Sequence, residues 1–329
     1  MRTAVALTLA AGSACYAPTY QDPKCGPGGA CPPGYHCVGS ACVPDTDAQD
    51  PDAPHRDPID ADPASDASSP DAPIDQRRCA VDAPFGRAEL VAGVNGWINL
   101  YGATLSPDEL TIYVSTANGA IDHIYVATRS STEEPFGTPR LLDQGSPDEI
   151  IGGRPTISDD GLTLFFYAIP DGNGEIFWTQ RTATDQPFGQ PYAVGAPIDT
   201  AADETDPFLS PNDFYFVRDA QIYRGGKPNG PVVIGNLPTP PNVSPALSRD
   251  DRELFFSHHG DLGWEIWVAR RSSTGRPFES PQLVPDLTEV GSGIVNFPQW
   301  VSPDGCRVYF SSNRPGKERL RLWQASRSP

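Results

Sequence analysis

Ser302-Pro303-Asp304-Gly305-Cys306-Arg307-Val308-Tyr309-Phe310-Ser311-Ser312 reads as a tight turn feeding an aromatic strand. Proline at the second turn position fixes φ, and Asp or Gly tolerates what must follow. The same grammar recurs upstream. Ser106-Pro107-Asp108 precedes Tyr113, Ser158-Asp159-Asp160-Gly161 precedes Leu164-Phe165-Phe166-Tyr167, and Ser248-Arg249-Asp250 precedes Leu254-Phe255-Phe256. A degenerate copy begins at Asp206. The units run Ala103–Leu142, Arg154–Val194, Asp206–Ile234, Ser244–Val284 and Phe297–Arg327. A period of roughly 40 to 50 residues is the length of one propeller blade.

Each unit divides into four short strands: one before the turn, the aromatic one after it, a third such as Ile176-Phe177-Trp178, and a fourth after a Pro-Phe-Gly segment. A lone four-stranded sheet leaves its faces wet, whereas radial packing buries them. The fifth unit breaks off after its third strand, at Leu322-Trp323-Gln324-Ala325. Pro84-Phe85-Gly86 to Val91 matches the fourth-strand pattern. The expected fold is therefore an all-β, five-bladed β-propeller whose N-terminal strand closes the last blade.

These units resemble the PD40 repeats, the WD40-like propeller repeats of TolB-type periplasmic proteins, over essentially all of Phe85 to Arg327. The resemblance implies a fold and leaves function open. TolB-type proteins carry an α/β domain before the propeller. Here a Cys-rich stretch and an acidic linker take that place, so a role in the Tol system does not carry over.

Arg2 followed by apolar Ala4 to Ala11 reads as an export signal. Gly12, Ser13 and Ala14 before Cys15 resemble the lipobox of bacterial lipoproteins, which implies acylation of Cys15. Ordinary secretion with cleavage nearby is the alternative. Tyr16 stands where Asp would signal inner-membrane retention, so an outer-membrane lipoprotein, or a periplasmic or secreted protein, is expected. The expected domains are a signal peptide over 1–14, a Cys-rich segment over 15–43, a linker over 44–78 and the propeller over 79–329.

Cys25, Cys31, Cys37 and Cys42 stand among Gly, Pro and small residues. Such a segment has too little apolar surface to hold itself together, so cross-links are expected. Four thiolates also suit zinc, but an exported chain meets oxidant before free metal. Three pairings are open for four cysteines. The linker is almost all Asp, Pro, Ala and Ser, which cannot offset its ordering entropy and reads as an extended spacer. Of the 7 cysteines, Cys79 and Cys306 remain. If Phe85–Val91 is the fourth strand of blade 5, its start and Cys306 share one edge of the sheet, roughly 10 Å apart across two strand spacings. A disulfide between them would lock the ring.

With Lys and Arg totalling 24 against 42 Asp and Glu, the net charge is -18. That excludes a nucleic-acid partner, which needs a basic face. It also excludes electrostatic docking on anionic lipid, leaving a lipid anchor as the route to a membrane. No cofactor or metal is expected. Candidate ligand residues come from the loops between blades: Asp148 and Glu149, then Asp203, Glu204 and Asp206, then Glu289. Carboxylates from several loops could converge on a ligand at the channel mouth. No catalytic constellation stands out. The expected function is a monomeric binding or scaffold module for a protein or cell-envelope polymer. A carbohydrate-active enzyme with paired carboxylates is the alternative.

Overall fold

The computed structural model describes residues 35–38, 41–44 and 79–327, except 97–98, 118–121, 143–151, 171, 226–229, 262 and 315–318. Tyr35–Val38 and Ala41–Pro44 form an antiparallel hairpin in which Cys37 and Cys42 are backbone partners. The hairpin and the propeller belong to separate units, divided between Asp45 and Thr46. Cys15, Cys25, Cys31 and the linker beyond Pro44 lie outside the described residues.

From Cys79 onward the described residues form five four-stranded antiparallel sheets. Blade 1 is Leu100–Leu105, Thr111–Ala117, Asp122–Thr128 and Arg140–Leu141. Blade 2 is Gly153–Ile157, Thr163–Ala168, Glu175–Gln180 and Tyr192–Ala193. Blade 3, the degenerate unit, is complete: Glu204–Leu209, Phe214–Arg218, Gln221–Arg224 and Val232–Val233. Blade 4 is Asn242–Leu247, Glu253–Gly260, Gly263–Arg270 and Gln282–Leu283. Blade 5 is Asn296–Val301, Arg307–Ser312, Arg321–Ser326 and, from the N-terminal side, Glu89–Leu90. First strands of successive blades touch, and that of blade 5 touches that of blade 1. The fold is a closed five-bladed β-propeller.

The turn that announced the fold is built alike in four blades. Ser302 Oγ donates to Asp304 Oδ1 (2.6 Å), which also accepts the Cys306 N–H (3.0 Å), and Ser302 Oγ accepts the Arg307 N–H (2.8 Å). Ser106 with Asp108, Ser158 with Asp160 and Ser248 with Asp250 repeat the arrangement. The next residue is left-handed: Gly161 (φ 71°) and Gly305 (φ 69°), but Glu109 (φ 60°) and Asp251 (φ 55°) in blades 1 and 4. The second strands alternate bulky apolar residues that the radial stacking buries from both faces, among them Tyr113, Phe166, Phe216, Phe256 and Phe310.

A second repeated device joins blades. The arginine directly after the third strand lies over the phenylalanine of the Pro-Phe segment: Arg129 over Phe136 (4.4 Å), Arg181 over Phe188 (4.5 Å) and Arg271 over Phe278 (4.4 Å). Each also donates to a tyrosine of the preceding blade. Arg129 reaches Tyr309 (3.3 Å), Arg181 reaches Tyr113 (2.9 Å) and Arg271 reaches Tyr215 (3.1 Å). The guanidinium thus satisfies its donors at its edge while its face covers a ring.

The closure register is as expected. Phe85 is bridged to Arg327, Gly86 N–H donates to Ser326 O (2.8 Å), and Leu90 pairs with Trp323. Cys79 is bonded to Cys306, with Cα atoms 5.7 Å apart. The outer strands are short, two residues in each blade. They are mostly exposed, so burial gives them little reason to extend.

Candidate functional site

The first strands line the central channel, and each carries a bulge near its start. Arg154 (φ 48°), Asp206 (φ 50°) and Ser244 (φ 54°) occupy the bulges of blades 2, 3 and 4 in the left-handed region, each directly before a proline. A side chain in that region costs about 1–2 kcal/mol relative to glycine. Blade 1 has Gly102 here, where a Cβ would come within 2.6 Å of the Arg154 Cα. Three blades therefore keep side chains where glycine would be the less strained choice, and those side chains meet.

Arg154 Nε pairs with Asp206 Oδ1 at 2.7 Å, and Arg154 Nη1 donates to Ser244 Oγ at 2.7 Å. The guanidinium carbon lies 5.2 Å from the centre of the Phe297 ring in blade 5. One arginine thus spans from blade 2 to blades 3, 4 and 5. Gln299 completes the circle to blade 1, accepting the Ala103 N–H (3.1 Å) and donating to Tyr101 O (3.0 Å). The cavity these residues leave is about 20 Å³, room for one water molecule. Among the described residues its lining contains one carboxylate, that of Asp206.

Above this plug Tyr167 donates to Asp122 Oδ2 (3.0 Å). Burial, and then the charge of Asp122, hold the Tyr167 hydroxyl well above the ordinary tyrosine range. Asp122 opens the third strand of blade 1, and Glu265 is the third residue of that strand in blade 4. Asp122 accepts that hydroxyl, and Glu265 accepts the Trp267 indole N–H (3.0 Å).

The expected ligand residues fall into different environments. Glu204 and Asp206 were read as loop residues but stand in the first strand of blade 3, both buried. Glu204 accepts Arg218 Nε (2.6 Å), Thr200 Oγ1 (2.7 Å) and the Thr200 N–H (3.0 Å). Asp203 is exposed at the mouth and accepts the Gly174 N–H (2.8 Å). In the same loop Asp199 accepts the N–H groups of Ile176 (3.0 Å) and Gly195 (2.6 Å), while burial raises its pKa. Glu289 is exposed in the loop entering blade 5, and its carbonyl accepts from Asn296 (2.8 Å). Asp148 and Glu149 lie outside the described residues. Sequence reasoning missed Arg154 and Ser244. Their signal was the residue-proline pair four residues before the turn serine in three successive units: Arg154-Pro155, Asp206-Pro207 and Ser244-Pro245.

No family model and no curated protein matches the sequence. Solved structures do resemble the fold. The catalytic domain of a GH62 α-L-arabinofuranosidase from Coprinopsis cinerea aligns with TM-score 0.53 at 13% identity, over 75% of this chain and 98% of that one. The α-L-arabinofuranosidase PaAbf62A from Podospora anserina aligns with TM-score 0.48 at 14% identity, over 76% and 98%. TolB from Acinetobacter baumannii aligns with TM-score 0.45 at 20% identity, over 70% of this chain and 55% of the TolB chain. At these identities the likeness concerns the fold alone. Among the described residues no three His, Cys, Asp or Glu side chains gather as a metal site, and His258 Nδ1 bonds to Asn242 Oδ1 (3.0 Å).

Proposed function

We propose that this protein is an envelope-anchored binding or scaffold propeller that recognises a protein or cell-envelope polymer at its channel mouth. The observation carrying this reading is the plug of Arg154, Asp206 and Ser244. The axis is filled by the protein's own side chains, so a ligand meets the face instead of entering the ring. Asp148, Glu149, Asp203 and Glu289 are the contact residues of the proposal, with Glu204 and Asp206 supporting them from the first strand of blade 3. Acylation of Cys15, disulfides among Cys25, Cys31, Cys37 and Cys42, and an outer-membrane address belong to the same reading. The enzyme alternative needs a carboxyl pair about 5 Å or about 6.5–9.5 Å apart. Asp206 is ion-paired and is the single carboxylate among the described residues lining the channel cavity, which favours binding over hydrolysis.

The test is a cross-linking pull-down from envelope fractions, run beside a glycan array. Asp203→Lys with Glu289→Lys should weaken capture at least about tenfold, since like charge at an interface costs several kcal/mol. Glu133→Lys with Glu134→Lys, exposed in the loop after the third strand of blade 1 on the opposite face, should leave it unchanged. Equal behaviour of the two pairs would refute the site. Release of sugar by the wild type that vanishes in Asp206→Asn would favour the enzyme instead.

A further inference from the structure

The described part of the propeller begins at Cys79, which is bonded to Cys306. Cys306 belongs to the turn between Asn296–Val301 and Arg307–Ser312. An antiparallel pair turns back at the far end of its first strand. That turn therefore lies opposite the inter-blade loop that delivers Asn296, one six-residue strand away, or about 20 Å. The Cys79–Cys306 bridge and the loops bearing Asp203 and Glu289 are on opposite faces.

The strand that follows Cys79 is slight. Glu89 and Leu90 pair with Gln324 and Trp323, flanked by the Gly86 bond to Ser326 (2.8 Å) and the Val91 bond to Leu322 (3.1 Å). The turn around Cys306 is better held. Cys306 O accepts the Arg327 N–H (2.8 Å), and Gly305 O accepts Arg327 Nη1 (3.0 Å). Arg327 in turn grips Glu253 of blade 4 through Nη1 (3.0 Å) and Nη2 (2.9 Å).

We infer that the Cys79–Cys306 bridge is the mechanical mount of the propeller: it passes a pull on the preceding chain into the blade 5 turn and on through Arg327 to Glu253, bypassing the closing strand. The inter-blade face is thereby left turned away from the point of attachment, free for a partner. The inference rests on the reading that the N-terminal segment tethers the protein.

The test is single-molecule pulling of the full chain, with one handle at its N-terminus and one on a bio-orthogonal side chain replacing Asn236. In the Cys79→Ser/Cys306→Ser variant the closing strand should detach first, in a low-force step. The segment freed, residues 79 to 99, spans about 70 Å when extended. The oxidised wild type should lack that step. Phe85→Ala, which weakens the strand but keeps the bridge, should lack it too. An equal early step in oxidised wild type, or none in the double variant, would overturn the mount. The outcome does not depend on what the N-terminus is attached to. Mass spectrometry of the native N-terminus tests that separately, and an unmodified Cys15 would sink the lipid anchor alone.

Discussion

Arg327 and Phe85, from opposite ends of the propeller sequence, lie face to face with the guanidinium carbon 4.7 Å from the ring centre. This is the pairing that Arg129 makes with Phe136, and Arg271 with Phe278, inside single units. The ring therefore closes by completing a repeat, with the N-terminal segment supplying the missing piece. Arg327 also forms a bidentate pair with Glu253, and both side chains are 1% exposed.

Replacing Arg327 by Ala should destabilise the propeller by about 3–5 kcal/mol, the usual result of removing one partner of a buried ion pair. Phe85→Ala should cost a comparable amount through the cavity it leaves. Urea unfolding measures both. Val232→Thr, at an exposed outer-strand position (64%), should stay within about 0.5 kcal/mol of wild type. If all three variants behave alike, the clasp is not what holds the ring.

In the channel, a double-mutant cycle with Arg154→Gln and Asp206→Asn should give a coupling of about 1–3 kcal/mol, as for residues sharing one network. Ser244→Gly loses one hydrogen bond to a guanidinium but relieves a left-handed side chain, two effects of about 1–2 kcal/mol each with opposite sign. Its stability should lie near wild type. A coupling near zero would mean that the plug contributes nothing to holding the blades.

Asp199 and Asp251 both have raised pKa values, chiefly from burial. The folded state therefore holds their protons to higher pH than the unfolded chain does. Between the ordinary carboxylate value near 4 and the raised folded value, these two groups make stability fall as pH rises. Below that window their contribution is fully present. Asp199→Asn or Asp251→Asn should remove that slope, so the stability difference from wild type should change across the window. A difference that is flat with pH would refute the assignment.

Burial, and then Glu109, whose carboxylate accepts the Tyr309 hydroxyl at 2.7 Å, push the Tyr309 pKa up to about 12. Glu109→Gln should let tyrosinate form at lower pH, visible in its near-ultraviolet absorbance. Tyr215, also near 12 through burial and remote from Glu109, should not move. A shift in both would indicate general loosening rather than loss of one charge.

The blade count, the closure register and the Cys79–Cys306 bridge were legible in the sequence. Turn chemistry and strand alternation are local, and a repeat prints them at each period. Ser302 needs only Asp304 and Arg307 to make its turn, and Pro84-Phe85-Gly86 is recognisable because other units carry a Pro-Phe segment. The channel was not legible. Arg154 acquires its partners Asp206, Ser244 and Phe297 from three other blades, and no spacing along one unit reveals them. Asp203, Glu204 and Asp206 are near neighbours in sequence. Yet Asp203 is exposed at the mouth, Glu204 is buried against Arg218, and Asp206 points onto the axis. Sequence by itself determined how many blades form and how the ring shuts, because those follow from local geometry repeated. Only the tertiary structure decided which side chains fill the axis, because strands alternate their faces and radial packing alone sets which faces meet.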